Sequence, residues 1–168
     1  MKYAVVNVPP RDEDIESFRN LYDTQASLIS AHVTLVFPFE LDESSEQNLK
    51  SHVASVAAAS QPFQVHFNDS ITFEDGNLFL LSDKQDQITM LHDELYTGML
   101  SDFLRSDLPY MPHITVGQTK NDGAESAFAE SHLTDKIGYD FNNVEIIKIE
   151  EAVKEFQRVG KYQLGEKV

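Results

Sequence analysis

A four-residue motif of histidine, an apolar residue, threonine and a second apolar residue occurs twice in this chain of 168 residues. The first copy is His32-Val33-Thr34-Leu35 and the second is His113-Ile114-Thr115-Val116. Side chains at positions i and i+2 of a strand project from the same face. Each copy therefore predicts a strand that buries its apolar residues on one face and presents an imidazole and a hydroxyl on the other.

The remaining chain predicts strands that alternate with helices and are interrupted by hairpins. Strands are predicted over residues 2–8, 32–39, 62–74, 77–82 and 113–119, with two more between 139 and 165 that turn near 155–157. Helices are predicted over residues 12–23, around Leu49 to Ala57, and over residues 84–104 and 124–133. This order indicates a single domain over residues 1–168, with α+β or α/β mixed sheets rather than a doubly wound parallel sheet.

The charge of the chain restricts the kind of partner that it can bind. Its formal net charge is −15, and an acidic surface repels the phosphate backbone of a long nucleic acid. We therefore expect no extended nucleic-acid surface. A substrate that carries phosphate should be small, or be held at one end only.

Two further features of the sequence concern the cellular compartment of the protein. The chain has no cysteine, which excludes disulfides, thiolate metal sites and a cysteine nucleophile. The apolar stretch at the N-terminus is shorter than a signal peptide and ends at Pro9 and Pro10, and no apolar run is long enough to cross a membrane. The sequence thus predicts a cytoplasmic protein without a membrane partner.

The repeated motif suits phosphodiester chemistry if its two copies meet. Two strands that lie side by side, or are related by a pseudo-twofold axis, would bring two imidazoles and two hydroxyls to one cleft. One neutral histidine can then accept a proton from water while the other, protonated, donates to the leaving oxygen. The threonine hydroxyls can hold the non-bridging phosphate oxygens. Histidines and carboxylates do not occur at metal-ligand spacing, so no metal or other cofactor is expected.

The two motifs, their spacing, the order of the elements and Pro112 before the second histidine resemble the 2H phosphoesterase superfamily. That superfamily includes the 2'-5' RNA ligase-like proteins of bacteria and the cyclic phosphodiesterases. The resemblance implies a two-lobed, pseudo-symmetric α+β fold around a central cleft. It also implies metal-independent action on a 2',3'-cyclic or 2'-5' phosphodiester of a nucleotide or RNA end.

The resemblance also assigns roles to residues. It implies that His32 and His113 are catalytic and that Thr34 and Thr115 bind the phosphate of the substrate. Many relatives carry an arginine shortly after the second motif, where this chain has Gln118. This departure bears on the identity of the substrate more than on the class of reaction.

Several alternatives stay open at this point. The same site could join RNA ends as a 2'-5' RNA ligase, or could bind a nucleotide or phosphate without catalysis. Tyr110 and Phe37 are the aromatic residues nearest the motifs and could stack a base, although packing in the core is the more common role of such residues. A third His-x-Thr sequence, at residues 132–134, is followed by an acidic residue and is predicted to end a helix. The sequence does not assign the acid and the base, or an oligomeric state.

Overall fold

The computed structural model of the protein describes residues 1–72, 76–118, 120, 123–135, 137–150 and 155–166. Four α-helices lie within these residues: α1 (Glu13–Tyr22), α2 (Glu46–Ala59), α3 (Gln85–Leu95) and α4 (Ala124–Ser131). Eight strands accompany them: β1 (Lys2–Asn7), β2 (Val33–Glu40), β3 (Phe63–Thr72), β4 (Asn77–Ser82), β5 (His113–Gln118), β6 (Ile137–Phe141), β7 (Asn143–Glu150) and β8 (Glu155–Gln163).

The predicted α+β class is confirmed, and the eight strands form one sheet in the order β6-β3-β4-β5-β2-β1-β7-β8. The pairings of the described strands are antiparallel, which differs from the mixed sheets expected from the sequence. The connection through α1 shows why. Asn7 at the end of β1 pairs with Val33 at the start of β2, so the chain leaves and re-enters the sheet at the same end.

Two predicted elements differ from the structure in their extent. The C-terminal region contains three strands rather than two, because Asn142 separates β6 from β7. The helix predicted over residues 84–104 ends at Leu95, and a 3-10 helix follows over Gly98–Phe103, where Gly98 has a φ of +53°. The Asp75-Gly76 sequence between the strands predicted over 62–74 and 77–82 is typical of a hairpin turn. Gly76 has a φ of +89°, which suits glycine, whereas Asp75 lies outside the described residues. The predicted turn near 155–157 is replaced by β8, which starts at residue 155.

The sheet divides at its centre, between β2 and β5. Among the described residues these two strands pair at one position, where Val33 lies opposite Ile114. The strands on one side, β2, β1, β7 and β8, form what we call the first lobe. The strands on the other side, β5, β4, β3 and β6, form the second lobe, so each lobe carries one copy of the motif.

Beyond the position where β5 pairs with β2, side chains form hydrogen bonds with the backbone groups at the edge of β2. Tyr110 Oη donates to the carbonyl oxygen of Thr34 at 2.8 Å, and His92 Nδ1 donates to that of Leu35 at 2.7 Å. The backbone N–H of Phe37 donates to Tyr96 Oη at 3.0 Å. Unpaired backbone groups at a strand edge are costly when they are buried. These three side-chain contacts therefore allow the two lobes to separate and leave a cleft.

The sheet is curled, which brings its two halves together away from the cleft. Tyr139 on β6 donates its hydroxyl to Asn7 Oδ1 on β1 at 2.7 Å, although four strands lie between β6 and β1 in the sheet. Asn7 in turn donates through Nδ2 to the carbonyl oxygen of Asn143 at 2.8 Å. These contacts fix the curvature of the sheet.

The helices cover one face of the sheet and define the main core. Helix α1 packs against β5, α2 against β7 and β8, and α3 against β2. The apolar residues of both motifs belong to this core and are fully buried. None of the described helices has the length and apolar character needed to span a membrane.

Candidate active site

The register of the central strands brings the two motifs together. The apolar second residues of the motifs, Val33 and Ile114, pair with each other. Because β2 and β5 run in opposite directions, the histidine of each motif lies opposite the threonine of the other. The paired apolar residues point into the core, so the two imidazoles and the two hydroxyls share the opposite face.

A cavity of about 230 Å³ opens on this face. His32, Thr34 and Thr115 contribute to its lining. His113 is placed across the strand pair from Thr34, and its ring stacks on that of Phe79 from β4 with centroids 3.7 Å apart and planes 13° apart. All four motif side chains are half-buried, which leaves them in reach of a small ligand.

Both motif histidines are held in the same way. His32 Nδ1 lies 2.8 Å from the carbonyl oxygen of Ser30, and His113 Nδ1 lies 2.6 Å from that of Met111. In each case the acceptor is the residue two positions earlier in the chain. A carbonyl oxygen only accepts hydrogen bonds, so Nδ1 carries the hydrogen in both rings. Nε2 is therefore the nitrogen that each ring can use to take or give a proton.

The surroundings of the two histidines favour their neutral forms. Burial lowers the pKa of His113, and the hydrogen bond to Met111 opposes this effect in part. Burial also lowers the pKa of His32, against the hydrogen bond to Ser30, and the charges of Arg19 and His113 lower it further. The pairing of Val33 with Ile114 places the two motifs side by side, which is why the charge of His113 contributes to the lowered pKa of His32.

Helix α1 fixes the backbone that holds His32. Arg19 donates through Nε to Asp23 Oδ2 at 2.9 Å and through Nη2 to the carbonyl oxygen of Ile29 at 2.9 Å. Glu16 Oε1 accepts from the backbone N–H of Ala31 at 3.3 Å. The contacts hold residues 29 and 31 on either side of the carbonyl that binds the imidazole. We call Glu16, Arg19 and Asp23 the α1 clamp.

Sequence reasoning did not identify the α1 clamp. Arg19 is 1% exposed, and its Nη1 atom makes no hydrogen bond in the described structure. Its spacing of four residues from Asp23 is the signal that was available, since oppositely charged residues at i and i+4 face each other on a helix. That signal does not reveal that the pair is buried beside the first motif.

The two aromatic residues predicted near the motifs lie on β2 and just before β5. Tyr110 stacks on His92, with centroids 3.6 Å apart and planes 14° apart, while its hydroxyl holds Thr34. Burial raises the pKa of Tyr110, which keeps the hydroxyl protonated as a donor. Phe37 contacts the rings of His92 and Tyr110 edge-on. One face of Tyr110 is thus occupied by His92, and base stacking by either aromatic residue stays a prediction.

Gln118 and the third His-x-Thr sequence lie outside the set of converging groups. Gln118 ends β5 and donates through Nε2 to Asn77 Oδ1 at 3.4 Å. His132 follows α4 with a φ of 52°, ahead of a short 3-10 helix rather than a strand. Among the described residues that line the cavity, Arg19 is the one lysine or arginine. The positively charged side chain in the lining of this cavity therefore comes from α1.

Three comparisons with known proteins agree with this geometry. The model of the 2'-5' RNA ligase superfamily matches residues 8–152. A protein of Geobacillus kaustophilus, provisionally named a phosphoesterase, is 30% identical over 137 residues, which are 79% of this chain and 78% of that protein. A Bacillus licheniformis protein with a similar provisional name is 28% identical over 130 residues, which are 75% of this chain and 76% of the other.

Solved structures of more distant proteins share the fold. The protein TT0787 of Thermus thermophilus superposes with a TM-score of 0.69 at 15% identity, covering 98% of both chains. LigT of Escherichia coli in its apo form superposes with a TM-score of 0.64 at 14% identity, again covering 98% of both chains. With its two motifs on one face and a family match over most of its length, the chain belongs to the 2'-5' RNA ligase superfamily of 2H phosphoesterases.

Proposed function

We propose that this protein is a metal-independent phosphoesterase that hydrolyses a cyclic 2',3'- or a 2'-5' phosphodiester of a nucleotide or an RNA end. One observation carries the proposal. Two histidines on opposed strands share a face with two threonine hydroxyls, and each histidine has its Nδ1 occupied by a backbone carbonyl. This arrangement leaves two Nε2 atoms for proton transfer and two hydroxyls for an anion.

In the proposed reaction the phosphorus lies between the two lobes. The neutral histidine takes a proton from water through Nε2 as the water oxygen attacks the phosphorus. The protonated histidine gives its Nε2 proton to the ester oxygen that leaves, so a cyclic diester and one water give one monoester. Thr34 and Thr115 donate their hydroxyls to the non-bridging oxygens, where negative charge develops.

The comparisons support a nucleotide as the substrate. Structures of Escherichia coli LigT are described as complexes with NADP+, with 3'-AMP, with ATP and with phosphate. A structure of Kluyveromyces marxianus Usb1, which has a TM-score of 0.51, is described with uridine monophosphate. We extend this kind of ligand to the present chain because the motif geometry suits a phosphate group.

We further propose a small nucleotide or the terminal residue of an RNA as the partner, without an extended nucleic-acid surface, and action in the cytoplasm without a membrane partner. The net charge of −15 supports the first point, since wide contacts with nucleic acid need many lysines and arginines. The absence of cysteine from the sequence is consistent with a reducing compartment.

The direct test is hydrolysis of the four 2',3'-cyclic nucleotides and of a 2'-5'-linked dinucleotide in the presence of a chelator. We expect turnover of at least one of them, with a monoester product identified by chromatography and by phosphorus NMR. Turnover that disappears with the chelator and returns with added metal would contradict the metal-independent mechanism.

The pH dependence of kcat/KM follows from the lowered pKa values of the two histidines. The reactive form needs one histidine protonated and the other neutral. Burial lowers both pKa values from the usual 6.5 in the free protein. The histidine that acts as the acid therefore loses its proton before the pH reaches 6.5. We expect a bell-shaped profile of kcat/KM with its maximum below pH 6.5, measured in buffers of constant ionic strength. A maximum above pH 7 would be inconsistent with this assignment.

A ligation assay and a thermal-stability assay separate the alternative functions. A 2'-5' RNA ligase would join RNA ends at low salt, and the acidic surface disfavours this because two RNA strands must be held together. A non-catalytic binder would show thermal stabilisation by nucleotides without product formation. Either result without hydrolysis would replace the proposed phosphoesterase function.

A further inference from the structure

Phe79 is the residue of β4 that contacts the second motif histidine. Its chain neighbours Leu78 and Leu80 are buried in the main core, so its own side chain lies on the opposite face, which is the face of the motifs. Phe79 pairs with Thr115 on β5, and its half-buried ring covers the imidazole of His113. An aromatic ring is thus in direct contact with one of the two groups to which we assign proton transfer.

The two rings lie almost directly one above the other. Their centroids are 3.7 Å apart and their planes are inclined by 13°. Carbon atoms in contact are about 3.5 Å apart, so the lateral offset between the rings is on the order of 1 Å. Two neutral aromatic rings prefer a larger offset or an edge-to-face contact, whereas a cation prefers to lie over the face of a ring. The stack therefore suits the protonated imidazole better than the neutral one.

The stack leaves the reactive edge of His113 uncovered. The carbonyl oxygen of Met111 accepts from Nδ1 in the plane of the ring, and Phe79 covers one face of the ring. These two contacts act in different directions, so together they fix both the position and the tilt of the imidazole. Nε2 lies on the ring edge, which neither contact covers. Among the described residues no aromatic ring stacks on His32, so the two motif histidines differ in this respect.

The charged groups near His113 belong to other elements than β4. The strand β5 packs mainly against β4, β2 and α1. Neither β4 nor β5 contains an acidic or a basic residue apart from His113 itself. On this face β2 contributes His32, and α1 contributes Arg19, whose charge is paired with Asp23 at 2.8 Å. The residue at position 79 can therefore be altered without changing a charged neighbour of the imidazole.

We propose that Phe79 is a positioning residue that holds the imidazole of His113 in place and stabilises its protonated form through the π face of its ring. The proposal rests on the proposed function, because it takes His113 as a proton-transferring group. A partner that favours the imidazolium raises the population of a general acid or the strength of a general base. Burial lowers the pKa of His113, so the test must change the π face at position 79 while keeping the bulk of the side chain.

The test replaces Phe79 with trifluorophenylalanine and with pentafluorophenylalanine, introduced by a suppressor tRNA. Fluorines keep the bulk of the ring and remove the negative charge of its face. We expect the pKa of His113 to fall stepwise by about one pH unit in total, the scale of a cation–π contact between partly desolvated groups. An NMR titration of the histidine rings measures it, with the exposed His66 as internal reference. One limb of the pH profile of kcat/KM should move to lower pH by the same amount.

Phe63 provides the matched control, because its ring stacks on that of Phe141, with planes 10° apart, rather than on a histidine. Pentafluorophenylalanine at position 63 should leave the pKa of His113 and the pH profile unchanged. Thermal unfolding checks that each variant is folded.

A second variant, Phe79→Leu, keeps an apolar side chain and removes the ring. It should lower kcat by about 10–100-fold at an unchanged KM, since a displacement of a catalytic group by about 1 Å can cost 10²-fold. A rise in KM at constant kcat would overturn the proposal, because it would identify Phe79 as a substrate contact. A wild-type pKa of His113 and a wild-type pH profile in the pentafluoro variant would also overturn it, because packing alone would then explain the stack.

Failure of this proposal is distinguishable from failure of the proposed function. If the wild type hydrolyses a phosphodiester and the fluorinated variants behave like it, the role of Phe79 is wrong and the phosphoesterase function stands. If the wild type hydrolyses no phosphodiester, the proposed function is wrong, and with it the reaction for which Phe79 would position His113.

Discussion

Replacing either His32 or His113 with alanine is expected to lower kcat/KM for a 2',3'-cyclic nucleotide by about 10²–10⁴-fold. Each imidazole has Nδ1 bound to a carbonyl, so in the proposed reaction each would remove or supply a proton through Nε2 alone. Loss of one imidazole leaves the attacking water without a base, or the leaving oxygen without an acid. Initial rates at several substrate concentrations measure the effect.

The matched control for this experiment is His66→Ala. His66 has a side chain that is 58% exposed and contacts Asp83, and it belongs to neither motif. It should keep the activity of the wild type. The double variant of both motif histidines should be about as inactive as either single variant, because groups that act in one proton-transfer step are not additive. Wild-type rates in either single variant would refute the two-histidine mechanism.

Replacing Arg19 with methionine is expected to lower the free energy of unfolding by about 3–5 kcal/mol, because the change breaks a buried ion pair and leaves its partner uncompensated. The Asp23 side chain is 4% exposed, and the carbonyl of Ile29 would also lose its donor. For a domain of this size the corresponding decrease in Tm is about 6–20 °C. Chemical denaturation and calorimetry measure both quantities.

Arg105→Met is the matched control for the arginine. Arg105 forms a two-point contact with Asp107, but the two side chains are 56% and 67% exposed, so water screens the pair. Its Tm should equal that of the wild type. A Tm of Arg19→Met that also equals the wild type would show that the α1 clamp does not stabilise the fold.

The same arginine variant has a second readout at the site. The charge of Arg19 lowers the pKa of His32, and Asp23 acts in the opposite direction. Removing the arginine and exposing the carboxylate both favour the protonated imidazole, so the pKa of His32 should rise. His113, held by the separate carbonyl of Met111, serves as the internal reference in an NMR titration of the histidine rings. An unchanged pKa of His32 would show that the α1 clamp does not act on this imidazole.

The sequence was informative where the structural cause is local. Alternation along residues 32–35 and 113–116 predicted two strands with apolar residues on one face, and Val33 and Ile114 are indeed fully buried. Asp12 caps α1 through bonds to the backbone N–H groups of residues 14 and 15, in line with the acidic helix start of the sequence. Such features depend on neighbours within a few residues.

Features that depend on distant parts of the chain were not predictable. The antiparallel return from β1 to β2 depends on the path of residues 23–32, which shows no periodic pattern. The contact of Arg19 with Ile29 and the stacking of Phe79 on His113 arise from packing between elements. Asn142, a single residue between β6 and β7, is too short a break to be recognised in a polar stretch of sequence.

The side-chain capping of β2 has a mechanical consequence for the protein. A continuous ladder of backbone hydrogen bonds resists bending, whereas the junction of the two lobes contains one bridged position and three side-chain hydrogen bonds. The junction therefore has less backbone pairing than the rest of the sheet, and the contact of Tyr139 with Asn7 between the two lobes holds its angle. Because each half carries one imidazole, the angle at this junction sets the gap between the two Nε2 atoms to which we assign proton transfer.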